Sequence, residues 1–104
     1  MALKDIQKQV DEWTNQFDPQ YWKPHEILAR LVEETGELAR EINHLYGPKK
    51  KKSTEDKREL SEEVADIIFT LCCLANSQKI DLDEAFLRMM EKCQSRDANR
   101  YTKK

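Results

Sequence analysis

Two stretches of this chain, "LVEETGELAREI" at residues 31–42 and "ELSEEVADIIFTL" at residues 59–71, decide how the rest is read. Both are rich in Glu, Leu and other helix formers and contain no proline. Each also places acids where an apolar stripe begins. With Ile27 at zero and 100° per residue, Ile27, Leu31, Leu38, Ile42 and Leu45 fall within about 60° of one another, the stripe that a helix buries. Glu34 lies about 20° from the Ile27 and Leu45 row, Glu37 about 80° away, and Glu33 points outward at about 240°. The second stretch runs into "VADIIFTLCCLA", which is apolar almost all round and calls for cover on most sides, from its own bundle or from another copy. Asp66 is embedded in that run, Glu63 lies three residues earlier on the same side, and no Lys or Arg stands within a turn of Asp66 on its own helix. An unpaired buried carboxylate must be neutralised, paired or bound to a cation. Packed antiparallel, the two helices set Glu34 and Glu37 opposite Glu63 and Asp66. Oxygen ligands without Cys or His suit Mg²⁺ or Mn²⁺ better than zinc or copper, and Mg²⁺ in turn accepts phosphate oxygens. The plain alternative is a solvated acidic helix face.

Around these stretches the chain is short and polar: 104 residues, 37% charged, with two glycines and three prolines and a mean hydropathy of -0.88. Such a composition predicts an all-α fold, and 1–104 reads as a single domain. Four helices are expected, at 2–17, 24–46, 54–78 and 82–96. Pro24 suits a first helical turn, Gly47-Pro48 a stop, Ser53 or Thr54 a cap, and Asp81 with Glu84 a variant of the capping box. So modest a core, with so apolar a third helix, predicts a bundle completed by oligomerisation. The formal charge of -2 gives no general attraction to a nucleic acid polymer or an anionic membrane. No apolar run is long enough to span a bilayer, so a cytoplasmic location is expected. Three cysteines, with Cys72 and Cys73 adjacent, form no zinc spacing and read as small buried thiols.

At the acidic residues the sequence resembles the MazG-like nucleoside triphosphate pyrophosphohydrolases, an all-α superfamily that includes dimeric dUTPases, dCTP pyrophosphatases and phosphoribosyl-ATP pyrophosphohydrolases. The resemblance rests on E-x-x-E at Glu34 to Glu37 and E-x-x-D at Glu63 to Asp66, with "EETGELAREI", "YGPKKKK", "LANSQKIDLDEA" and "RDANRY" as flanks of the short single-domain branch. It implies that Glu34, Glu37, Glu63 and Asp66 bind Mg²⁺, with Mn²⁺ as a substitute. The implied reaction is hydrolysis of a nucleoside triphosphate to the monophosphate and pyrophosphate, a house-cleaning task, by a homodimer or a dimer of dimers. Ala65 departs from the glycine that more often precedes the Asp, and its small size predicts little effect.

Lys92, Arg96 and Arg100 recur every four residues and are candidates for holding phosphates, the alternative being a basic face paired with Glu91 and Asp97. Trp22 is the candidate for stacking on a base; Tyr21 and Trp13 are further candidates, although Trp13 also fits an apolar stripe. Asn76 could bond a base or cap the third helix, and His25 and His44 read as structural. Glu33 or Glu37 could take a proton from water. Lysines 49–52 read as a solvated loop that could close over phosphates. Two other classes compete. A ferritin-like di-metal protein needs two E-x-x-H motifs, and only Glu41 to His44 supplies one. A non-catalytic helical module with an acid-lined seam would bind nucleotide or metal without turnover.

Overall fold

A computed structural model describes residues 2–48 and 58–104. The described residues form four helices, α1 (Leu3–Thr14), α2 (Pro24–Tyr46), α3 (Arg58–Ser77) and α4 (Leu82–Ser95). The expected lysine loop and the Ser53 or Thr54 cap lie outside the described residues, as do positions 54–57 of the expected third helix.

Local chemistry accounts for the ends. At the start of α2 the Glu26 carboxylate accepts the Lys23 N–H at 2.9 Å, and Pro24 occupies the first turn, where its missing N–H costs nothing. Gly47 ends α2 because a Cβ there would meet the Asn43 carbonyl oxygen at 2.6 Å. The Asp81 side chain caps α4 by accepting the N–H groups of Asp83 at 3.0 Å and Glu84 at 3.3 Å. α1 stops at Thr14, three residues before the expected end. Phe17 keeps the apolar spacing because its ring meets Trp13 edge-on at 5.0 Å, although its backbone has already turned away. After α3, Lys79 takes a left-handed φ of 56°. The Ile80 N–H then bonds the Ala75 carbonyl at 2.8 Å and the Lys79 N–H that of Asn76 at 3.1 Å, a Schellman ending with lysine where glycine is usual.

α2 and α3 make the principal packing pair, α1 lies on α3, and the start of α4 lies on α1. The α2–α3 pair runs antiparallel: Glu37 meets Glu63, while Ile27 and Arg30 share a cavity with Phe69, Thr70 and Cys73 further along α3. A polar knot ties the elements at the other end. The Gln7 amide donates to Asn76 Oδ1 at 2.9 Å and to the Ile80 carbonyl at 2.8 Å, and its Oε1 accepts the Leu82 N–H at 3.0 Å. Asn76 in turn donates to the Gln7 carbonyl at 2.9 Å and to the Tyr21 hydroxyl at 3.0 Å. Its side chain is thus committed to the fold, and neither caps α3 nor faces a ligand.

The core is thin. Among the described residues the buried apolar side chains are Val10, Ile27, Cys72 and Ala75. Ile42, expected in the buried stripe of α2, is 43% exposed, and Val64, Ile68 and Leu71 form an open apolar strip along α3. The radius of gyration is 17.1 Å, against about 13 Å for a compact chain of 100 residues. No helix among the described residues is long and apolar enough to cross a membrane.

The left-handed lysine gives a direct test of this local description. Replacing Lys79 by Gly should stabilise the protein by about 1 kcal/mol, measured by urea unfolding, because the Cβ penalty at this φ disappears. A clear loss of stability would contradict the Schellman ending.

Candidate active site

Among the described residues Glu34 is the most deeply buried acid, with 1% of its surface exposed, equalled in burial only by Cys72. The α2 stripe puts it there, since it follows Ile27 by seven residues and so shares the row turned toward α3. One turn earlier, Arg30 reaches back, and its Nη2 forms an ion pair with Glu34 Oε1. Glu34 Oε2 is buried and has no hydrogen-bond partner. Burying a carboxylate oxygen without a donor is costly. From α3, half-buried Glu63 points at the same place, and exposed Glu37 closes the group. One carboxylate oxygen from each of Glu34, Glu37 and Glu63 lies within 4.8 Å of the others.

The Glu63 carboxyl is held above its ordinary value of 4.5, first by partial burial, then by the charge of Glu37 and a hydrogen bond to it, and then by the charges of Asp66 and Glu34. The donor set, all oxygen, with Glu34 Oε2 and Glu63 Oε2 buried and without hydrogen-bond partners, fits a hard divalent cation.

Asp66 departs from the expectation. It is exposed rather than embedded, and it stands outside the group of three. Its backbone carbonyl accepts the buried Thr70 hydroxyl at 2.9 Å. Its side chain instead helps line a cavity of about 590 Å³ next to the cluster. Glu34 and Arg30 line the same cavity from α2, Phe69, Thr70 and Cys73 from α3, and Trp13, Phe17, Tyr21 and Trp22 from α1 and the loop behind it. The wall is aromatic: Trp13 packs edge-on against both Phe17 and Phe69, at 5.0 and 6.0 Å, yet remains 56% exposed, as does Trp22. The loop is held by the Tyr21 hydroxyl, which donates to Asp11 Oδ1 at 2.6 Å, and burial with that bond raises its pKa. Behind the wall the Cys73 thiol is pushed up to about 11 by burial and by Cys72, so it is an inert packing group.

The remaining expected residues fall elsewhere. Lys92, Arg96 and Arg100 do not line the cavity of this protomer. α4 ends at Ser95, so Arg100 leaves the helical row, and Arg96 and Arg100 both pair with Asp97, at 3.3 and 3.2 Å. Glu33 is exposed and lies 3.7 Å from Arg30. His25 is exposed at the start of α2. Three features escaped the sequence. Arg30, four residues before Glu34, and Phe69, three after Asp66, carried the signal in their helical spacing alone. Glu41, seven after Glu34, is also buried, at 7%.

Comparison with known proteins agrees with this geometry. Residues 22–101 match the MazG nucleotide pyrophosphohydrolase domain. YpjD of Bacillus subtilis (strain 168) is 52% identical over 103 residues, covering 99% of this chain and 93% of that protein. Its crystal structure superposes with a TM-score of 0.83 over 88% of this chain and 94% of that one. A Bacillus-conserved MazG protein, a nucleotide pyrophosphohydrolase, superposes with a TM-score of 0.77 at 43% identity, covering 88% of each chain. The dCTP pyrophosphatase 1 of Bos taurus is 33% identical over 95 residues, 86% of this chain and 56% of that protein. An all-α bundle with a carboxylate cluster beside a nucleotide-sized cavity therefore defines a nucleotide-hydrolysing class of enzyme. The chain belongs to the MazG nucleotide pyrophosphohydrolase family.

The raised Glu63 carboxyl fixes the sign of a pH effect. A carboxyl raised on folding contributes stability that is full below its ordinary value of 4.5 and is lost as pH rises through the folded value. At neutral pH the metal-free cluster is therefore under repulsion. Glu63→Gln should raise the Tm in EDTA at pH 7, with the gain vanishing near pH 4, and should reduce the Tm increase that Mg²⁺ produces in the unsubstituted protein. A lower Tm in EDTA, together with an unchanged response to Mg²⁺, would contradict the cluster.

Proposed function

We propose that this protein hydrolyses (deoxy)nucleoside triphosphates between the α and β phosphates in a Mg²⁺-dependent reaction, releasing the monophosphate and pyrophosphate and so clearing unwanted nucleotides. One observation carries the proposal: Glu34 belongs both to the three-carboxylate group and to the wall of the aromatic cavity, so a cation site and a base site adjoin. A cavity of about 590 Å³ falls in the size range of small-molecule sites, roughly 300–1,000 Å³.

The residues divide the work. Glu34, Glu37 and Glu63 would hold the cation directly, and Asp66, standing on the cavity side, would complete the set through water, since Mg²⁺ keeps part of its hydration shell. When bound, the cation neutralises developing phosphate charge and acidifies water. Glu37, exposed and inside the group, is better situated than Glu33 to take the proton from the attacking water, because Glu33 faces away toward Arg30. Trp22 and Trp13 offer ring faces on which a base can stack, and Phe17 and Phe69 hold Trp13 in position. The wall excludes water from one side of the triphosphate.

The open strip of Val64, Ile68 and Leu71 on α3, with Phe86, Leu87, Met89 and Met90 on α4, supports a homodimer or a dimer of dimers as the working form. In such an assembly Lys92, Arg96 and Arg100 would serve a site other than that of their own protomer. One domain working in the cytoplasm completes the proposal.

Purified protein with Mg²⁺ or Mn²⁺ should release pyrophosphate from at least one member of a panel of canonical and modified triphosphates. dCTP is the first to try, because a relative is a dCTP pyrophosphatase. Asp66→Asn should lower kcat by at least about a hundredfold with the circular dichroism spectrum unchanged. Silence across the panel would sink the enzymatic reading in favour of a binding module, and full activity in Asp66→Asn would move the site elsewhere. Light scattering at micromolar concentration should give at least a dimer, and a monomer would contradict the assembly.

A further inference from the structure

Arg30 stands at the junction of the two halves of the site. Its Nη2 pairs with Glu34 Oε1, its Nη1 lies 3.7 Å from Glu33, and its side chain, 46% exposed, lines the aromatic cavity together with Glu34 and Asp66. The pair is lopsided. Glu34 is nearly sealed, whereas Arg30 opens to the cavity and can turn away from Glu34 without being dragged through a packed core. Two cations cannot both satisfy Glu34 at full strength, since an ion held by Glu34, Glu37 and Glu63 would sit within a few ångströms of the guanidinium and repel it.

We infer that Arg30 is an exchangeable counter-ion, neutralising Glu34 while the carboxylate group lacks its metal and turning to the phosphates of the substrate once a divalent cation has taken over Glu34. This rests on the proposed triphosphate chemistry and extends it by assigning a phosphate-binding residue. The stem of Arg30 is on the same helix as Glu34, so the guanidinium needs only a rotamer change to face the cavity, where a triphosphate anchored at the cluster must run toward the tryptophans. Its planar fork can grip two phosphate oxygens at once, which the ammonium of lysine cannot. The device also avoids leaving Glu34 buried and bare between turnovers.

The test separates this role from simple support of the fold. Binding of Mn²⁺ to nucleotide-free protein is followed by the electron paramagnetic resonance signal of free Mn²⁺, and KM for dCTP, or for whichever triphosphate the panel identifies, is measured at saturating Mn²⁺. In Arg30→Met, Mn²⁺ should bind about threefold tighter or more, because a competing cation is gone. KM should rise about tenfold, because a charged phosphate contact is lost. Arg30→Lys, which keeps the charge and guards against a variant that fails to fold, should bind Mn²⁺ as the unsubstituted protein does and still raise KM. A merely structural arginine would weaken both together. Mn²⁺ affinity that falls or stays the same in Arg30→Met, or an unchanged KM, overturns the inference. If the unsubstituted protein releases no pyrophosphate at all, the functional proposal falls, and the Mn²⁺ measurement alone still decides whether Arg30 and the cation compete for Glu34.

Discussion

The arrangement turns on one buried carboxylate. Glu34 is inside because it shares its row of α2 with Ile27, and one of its oxygens is buried without a donor, which is costly unless something compensates it. A neutral side chain of similar size would satisfy the packing at no electrostatic cost. Keeping an acid there makes sense when the position supplies a ligand. Arg30 pairs with one oxygen of Glu34, and Glu37 and Glu63 converge on the same carboxylate.

That constraint shapes the rest of the protomer. α2 and α3 must run antiparallel and stay in register for Glu37 to meet Glu63, and the same register brings Arg30, Phe69 and Thr70 around one cavity. α1 contributes little buried apolar surface, but it carries Trp13 to Phe69 and anchors the following loop through Asp11 and Tyr21. The knot of Gln7, Asn76 and Tyr21 holds that loop to the end of α3, so the aromatic wall is fixed by hydrogen bonds at a distance from the cluster. Among the described residues the four buried apolar side chains make a small core, and much of the apolar surface on α3 and α4 is open.

The helices were legible because their boundaries are chemical: Pro24 and Gly47 mark α2 to the residue, and Asp81 marks the start of α4. Helical phase likewise separated Glu34 from Glu33 correctly, one sealed and the other open. Phase fails where a helix lacks cover. The apolar run around Asp66 called for cover on most sides, from its own bundle or another copy; in this chain Val64, Ile68 and Leu71 are open, and Asp66 is exposed beside the cavity. Periodicity cannot distinguish a face covered by the same chain from one left for another copy. Arg30 went unnoticed although its spacing of four residues before Glu34 carried the signal.

The most direct measurement is an anomalous difference map from a crystal of the protein soaked in Mn²⁺. The account predicts a peak at coordination distance from oxygens of Glu34, Glu37 and Glu63, with the Arg30 guanidinium moved off Glu34. A map whose strongest peak lies away from Glu34, with the Arg30 pair intact beneath it, would contradict the claim that this carboxylate is buried in order to hold a cation.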